Sequence, residues 1–71
     1  MDRLVKLMDV VALTADQADG LARGQVGTVV DELSPDVVEV EFSDSDGRAY
    51  AQCAIRKEHL LVLHYRPERA A

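Results

Sequence analysis

A disulfide within the chain is excluded, because Cys53 is its only cysteine. Nothing in the cysteine usage therefore points to an oxidising compartment. Tryptophan is absent, and the aromatic residues come to Phe42, Tyr50 and Tyr65. So few rings cannot line the groove that captures proline-rich peptides. No apolar run approaches the roughly 20 residues of a membrane span. The opening "MDRLVKLMDVVAL" carries Asp2 and Asp9 and no small-residue cleavage site, so it does not read as a signal peptide. A cytoplasmic, bacterial-type protein is expected. Basic residues are the minority: eight Lys and Arg against 13 Asp and Glu leave a net charge of −5. The eight are scattered. Non-specific binding to nucleic acid depends on clustered Lys and Arg neutralising phosphates, and this balance argues against it.

What remains is valine-rich. The 71 residues make one domain, with a core over about 8–65 and a charged tail at 66–71. A chain this short buries only about 60% of its unfolded surface, so it needs a compact core or a partner. A valine-rich, aromatic-poor chain leans toward strands. "DVVAL" (9–13) reads as a strand, and "TADQADGLARG" (14–24) as a long loop in which Thr14 and Gln17 could form a capping box. "QVGTVVDEL" (25–33) is a second strand. Gly27 inside it predicts a bulge that would bring Val26 and Val29 to one face. "SPD" (34–36) is a turn with φ preset by Pro35. In "VVEVEF" (37–42) Val38, Val40 and Phe42 alternate with Glu39 and Glu41, one side core and one side water. "SDSDG" (43–47) is a hairpin turn. "RAYAQCAI" (48–55) is a fourth strand with Ala49, Ala51, Cys53 and Ile55 on one face. "RKEH" (56–59) fits one 3₁₀ turn, and "LLVLHY" (60–65) a fifth strand. Residues 1–8 fit a helical turn or an irregular lead-in equally.

Five short strands with tight turns between the middle three predict an all-β fold: a small SH3-like barrel, closed or half-open, with one 3₁₀ turn before the last strand. The expected core is Val11, Leu13, Val26, Val29, Val38, Val40, Phe42, Ala51, Ile55, Leu61 and Leu63.

The stretches "LMDVVALTADQADGLARGQVGTVVDEL", "VEVEFSDSDGRAYA" and "HLLVL" carry a likeness to known proteins. Their pattern of Leu-x-Asp-Val-Val-Ala-Leu, Gly-x-x-Gly-x-Val-Val, an acidic Val-Glu-Phe strand, Asp-Gly and a final Leu-Leu-x-Leu resembles a family of short bacterial proteins of unknown function with an SH3-like barrel. The likeness spans about residues 7–65 and implies a fold, not an activity. A more distant likeness is to translation and transcription modules in which Gly-x-x-Gly-x-Val opens a barrel strand. There nearby basic residues bind RNA; here only Arg23 adjoins the glycines.

Chemistry-bearing patterns are thin. Gly24 and Gly27 could suggest a phosphate loop, but a β-branched run follows them where such loops need a helix N-terminus. "DSDG" (44–47) echoes a calcium loop without the later carboxylates, since positions 52–54 are Gln, Cys and Ala. His59, His64 and Cys53 lack zinc-ligand spacing, and Cys53 reads as a small core residue rather than a nucleophile. No catalytic residue, cofactor or metal is expected. The reading is a non-enzymatic acidic module that binds another protein, as an accessory or antitoxin-like partner. Nucleic-acid binding of the translation-module type is the alternative. The partner would meet Asp31, Glu39 and Glu41 on the outer face, or Asp16, Asp19 and Arg23 of the long loop with Asp44 and Asp46 of the turn. The chain itself would be a monomer or a homodimer.

Overall fold

The computed structural model describes residues 4–70. It contains β1 (Val10–Leu13), β2 (Val26–Ser34), β3 (Val37–Ser43), β4 (Ala49–Arg56) and β5 (Leu60–Val62), with a 3₁₀ turn at Lys57–His59. Every pairing is antiparallel, and the strands lie in one sheet in the order β4-β3-β2-β1-β5. The all-β fold and the single 3₁₀ turn before the last strand are therefore as expected. Among the described residues no pairing joins β4 to β5, so the sheet is open, with those two strands as its edges.

A lone sheet has no second layer to cover its inner face. Yet Val11, Val29, Val38, Val40 and Phe42 are 0% exposed, and they share one cluster with Leu13, Ile55 and Leu60. The sheet must curl so that its inner face covers itself. The bends come from register shifts between Val29 and Asp31, between Glu32 and Ser34, and between Phe42 and Ser43. Two residues outside the strands complete the lining: Val5 of the lead-in and Leu21 of the β1–β2 loop. Backbone bonds tie the ends together. The Thr14 N–H donates to the His59 carbonyl, and the Lys57 N–H to the Asp36 carbonyl, both at 2.8 Å.

The bulge expected at Gly27 is not there. Pairing runs unbroken on both sides, with Gly27 opposite Val11 and Phe42, and Thr28 opposite Val10 and Glu41. Strict alternation puts Gly27 and Val29 inward and leaves Val26 outward and 43% exposed, outside the core. The glycine answers a different need, close approach. A Cβ at Gly27 would lie 2.7 Å from the Glu41 carbonyl oxygen, 2.7 Å from Val40 Cγ1 and 3.0 Å from Phe42 Cδ1. The extra residues of β2 fall later, at Val30 and Leu33.

The last strand is also turned over relative to expectation. Leu13 pairs with Leu60 and Val11 with Val62, so Leu60 and Val62 face in and Leu61 is 57% exposed. Leu63 is half-buried beyond the strand end. The 3₁₀ turn sets this register, because its end at His59 decides which residue starts the strand, and one residue of slip exchanges the faces. In β4, Ala51, Cys53 and Ile55 face in as expected, but Ala49 is exposed because Tyr50 is the extra residue at the Phe42/Ser43 shift. Thr14 starts no helix; the loop turns through bonds from Gln17 N–H to the Leu21 carbonyl and from Gly20 N–H to the Gln17 carbonyl. The lead-in is irregular over 4–9, with Met8 at φ 71°, while residues 1–3 lie outside the described residues.

Candidate functional site

The outer face of the sheet follows from the ladder registers. Residues directly opposite in antiparallel strands point to the same side. One row runs Leu61, Ala12, Val26; the next runs Val10, Thr28, Glu41, Gln52; a third runs Asp31, Glu39, Ala54. The face is thus apolar at the β5–β1 end and acidic over β2 and β3. Asp31 and Glu39 are Cα partners, and Glu41 follows Glu39 on the same side of β3. Among the described residues the one side-chain hydrogen bond on this acidic face runs from Gln52 Nε2 to Glu39 Oε2, at 3.3 Å. Among the described residues none of the three acids has an ion-pair partner; the pairs that form are Arg56–Glu58, Lys57–Glu32, His59–Glu58 and His64–Glu68.

The loop and turn candidates gather at one end of the sheet, since β1 and β3 end there and β2 and β4 begin there. Gln25 Nε2 donates to the Tyr50 hydroxyl at 2.7 Å, linking the loop end to the start of β4. Asp16 and Asp44 have local work to do. Asp16 Oδ1 accepts from the Arg23 N–H at 2.8 Å and closes the loop. Asp44 Oδ1 accepts from the N–H groups of Asp46 and Arg48, at 2.9 and 3.0 Å, and shapes the turn that Gly47 completes at φ 81°. Asp19 reaches the inner side of β4. Burial, the Asp19 charge, a hydrogen bond toward its carboxylate and the Glu39 charge together push the Cys53 thiol above its usual 9.0.

Lys57 is the residue whose role the sequence hid. In a run of polar residues it is only 6% exposed, its stem packed inward and its Nζ 3.1 Å from Glu32 Oε2. Gln52 and Ala54 also become relevant, as the neutral outer positions of an edge strand. The signal for them was the absence of charge over residues 49–55.

Two hollows, of about 170 Å³ among Asp36, Arg56, Lys57 and Glu58 and about 250 Å³ among Leu4, Lys6, Asp9, Val62, Leu63 and His64, fall below the roughly 300–1,000 Å³ of small-molecule sites. Among the described residues no group of three or more His, Cys, Asp and Glu is placed to hold a metal ion. No helix there is long and apolar enough to cross a membrane.

Fold and surface define a small open-sheet β domain with an acidic, partly apolar outer face. The chain belongs to the family described as "Domain of unknown function (DUF4926)", whose model matches residues 7–62. No curated protein and no solved structure matches it.

Proposed function

We propose that the protein is a non-enzymatic module that docks a basic protein partner on its outer sheet face, as an accessory subunit in the cytoplasm. The observation that carries this reading is the Asp31–Glu39 pair. Like charges directly opposite in a sheet destabilise it, and among the described residues no cation offsets them. A partner's Lys or Arg would. The apolar row of Leu61, Ala12 and Val26 beside the acids supports a protein rather than a nucleic acid, since it offers the desolvated contact that protein interfaces use and phosphates do not.

The test uses the wild-type chain and a Glu39→Lys/Glu41→Lys variant as baits in an extract of the native host. A stoichiometric partner held by the first and lost by the second is expected. An Asp46→Lys bait, which leaves the Asp44 bonds of the turn in place, should retain the partner. Absence of any stoichiometric partner, or retention by the double variant, would sink the reading.

A further inference from the structure

The β4 edge is open in a way the β5 edge is not. β5 has three residues and β4 has eight. The Lys57 N–H bond to Asp36 places that pair among the hydrogen-bonded ones. Because bonded and non-bonded pairs alternate in an antiparallel ladder, Val38–Ile55, Val40–Cys53 and Phe42–Ala51 are bonded pairs as well. The backbone N–H and C=O groups of Gln52 and Ala54 therefore point away from β3, and among the described residues nothing pairs with them. Exposed edges are usually blunted by Lys, Pro or inward charge. Between Ala49 and Ile55 there is none of these; only the extra residue at Tyr50 interrupts the edge, at its start.

We infer that this edge accepts an extended, basic segment of the partner as an added strand. The inference rests on the proposed docking of a basic protein and names how that protein is held. Charge selects the occupant. An added strand lies one spacing from β4 and two from β3, roughly 9.5 Å away. On the outer side Gln52 stands in front of Glu41, and Ala54 in front of Glu39. Ala54 has only a methyl group, so a Lys or Arg laid across it can bring its charged end to Glu39 while its stem covers the alanine. On the inner side the added strand meets Ala51 and Cys53, which are small and half-buried, so its alternate residues should be apolar. The segment is therefore about five residues of basic-apolar alternation. A second copy of this chain fits less well, since its own β4 has no basic residue before Arg56 to set against Glu39, and each copy carries −5.

The experiment titrates the isotope-labelled full chain with the peptide acetyl-Thr-Lys-Val-Lys-Val-Lys-Thr-amide and follows amide shifts and hydrogen exchange. Saturation is expected to slow exchange at Gln52 and Ala54 about tenfold or more. Glu39→Lys/Glu41→Lys should weaken the peptide about fivefold or more, and proline at the central lysine, which removes a ladder donor of an antiparallel added strand, should abolish the protection. Shifts at Asp31, Glu39 and Glu41 without protection at Gln52 and Ala54 would overturn strand addition and leave docking by charge standing. No shift at millimolar peptide would overturn it too, with the host-extract comparison then deciding the docking reading separately. Protection that grows with protein concentration in the absence of peptide would give the edge to a second copy and overturn it as well.

Discussion

Replacing Gly27 by alanine adds a single carbon in the middle of the packed sheet. That carbon would overlap the Glu41 carbonyl oxygen and Val40 Cγ1, each at 2.7 Å, and crowd Phe42 Cδ1 at 3.0 Å. None of the three has room to retreat. The carbonyl belongs to β3, paired on both sides, and Val40 and Phe42 are 0% exposed. Overpacking of this kind costs about 1–3 kcal/mol. Against it stands the gain of about 0.5–1 kcal/mol from restricting an unfolded-state glycine. The difference spans about 0–2.5 kcal/mol with its middle near 1 kcal/mol, and at that middle value Tm in a domain of this size falls by about 4–8 °C. Thermal unfolding followed by circular dichroism reads it directly. Thr28→Ala, on the outer side of the same strand, should stay within about 0.5 kcal/mol. Combining Gly27→Ala with Val40→Ala removes one of the two overlaps, so the double variant should be more stable than the sum of the singles by about 0.5 kcal/mol or more. An unchanged or raised Tm for Gly27→Ala would refute the close-approach account, and additivity would show that Val40 is not what the new carbon meets.

Leu60→Ala should cost about 2–4 kcal/mol and Leu61→Thr less than about 0.5 kcal/mol in denaturant unfolding, the reverse of the order that simple alternation from the sequence implied. Lys57→Met, which keeps the buried stem and drops the charge, should change stability by less than about 1 kcal/mol, whereas Lys57→Ala should lose about 1–3 kcal/mol; equal losses would mean that the Glu32 ion pair dominates. The Cys53 thiol should alkylate with a pH midpoint above 9.0, shifted down by Asp19→Asn. Because the folded value is raised, its contribution to stability is complete below 9.0 and fades as pH climbs through the folded value. A midpoint at or below 9.0 would contradict the placement of Asp19.

Local pattern settled the elements of this fold. Alternation in "VVEVEF", the Ser-Pro-Asp and Asp-Gly turns and the polar 56–59 run fixed where strands and turns lie, because side-chain period and turn chemistry act over a few neighbouring residues. The acidic outer positions on β3 were readable for the same reason. Whether Asp31 meets Glu39 was not, because that depends on a one-residue shift at Val30 in a different strand.

The sequence by itself determined an all-β chain, its turn positions, and a valine-lined core with acids opposite. The tertiary structure alone decided that Gly27 is a contact point rather than a bulge, that β5 shows Leu60 and not Leu61 to the core, and that Lys57 is buried. It also decided that the neutral strand β4 ends up on the edge. Each of these depends on which strand lies beside which, and in what register, a matter of packing between residues far apart in the chain.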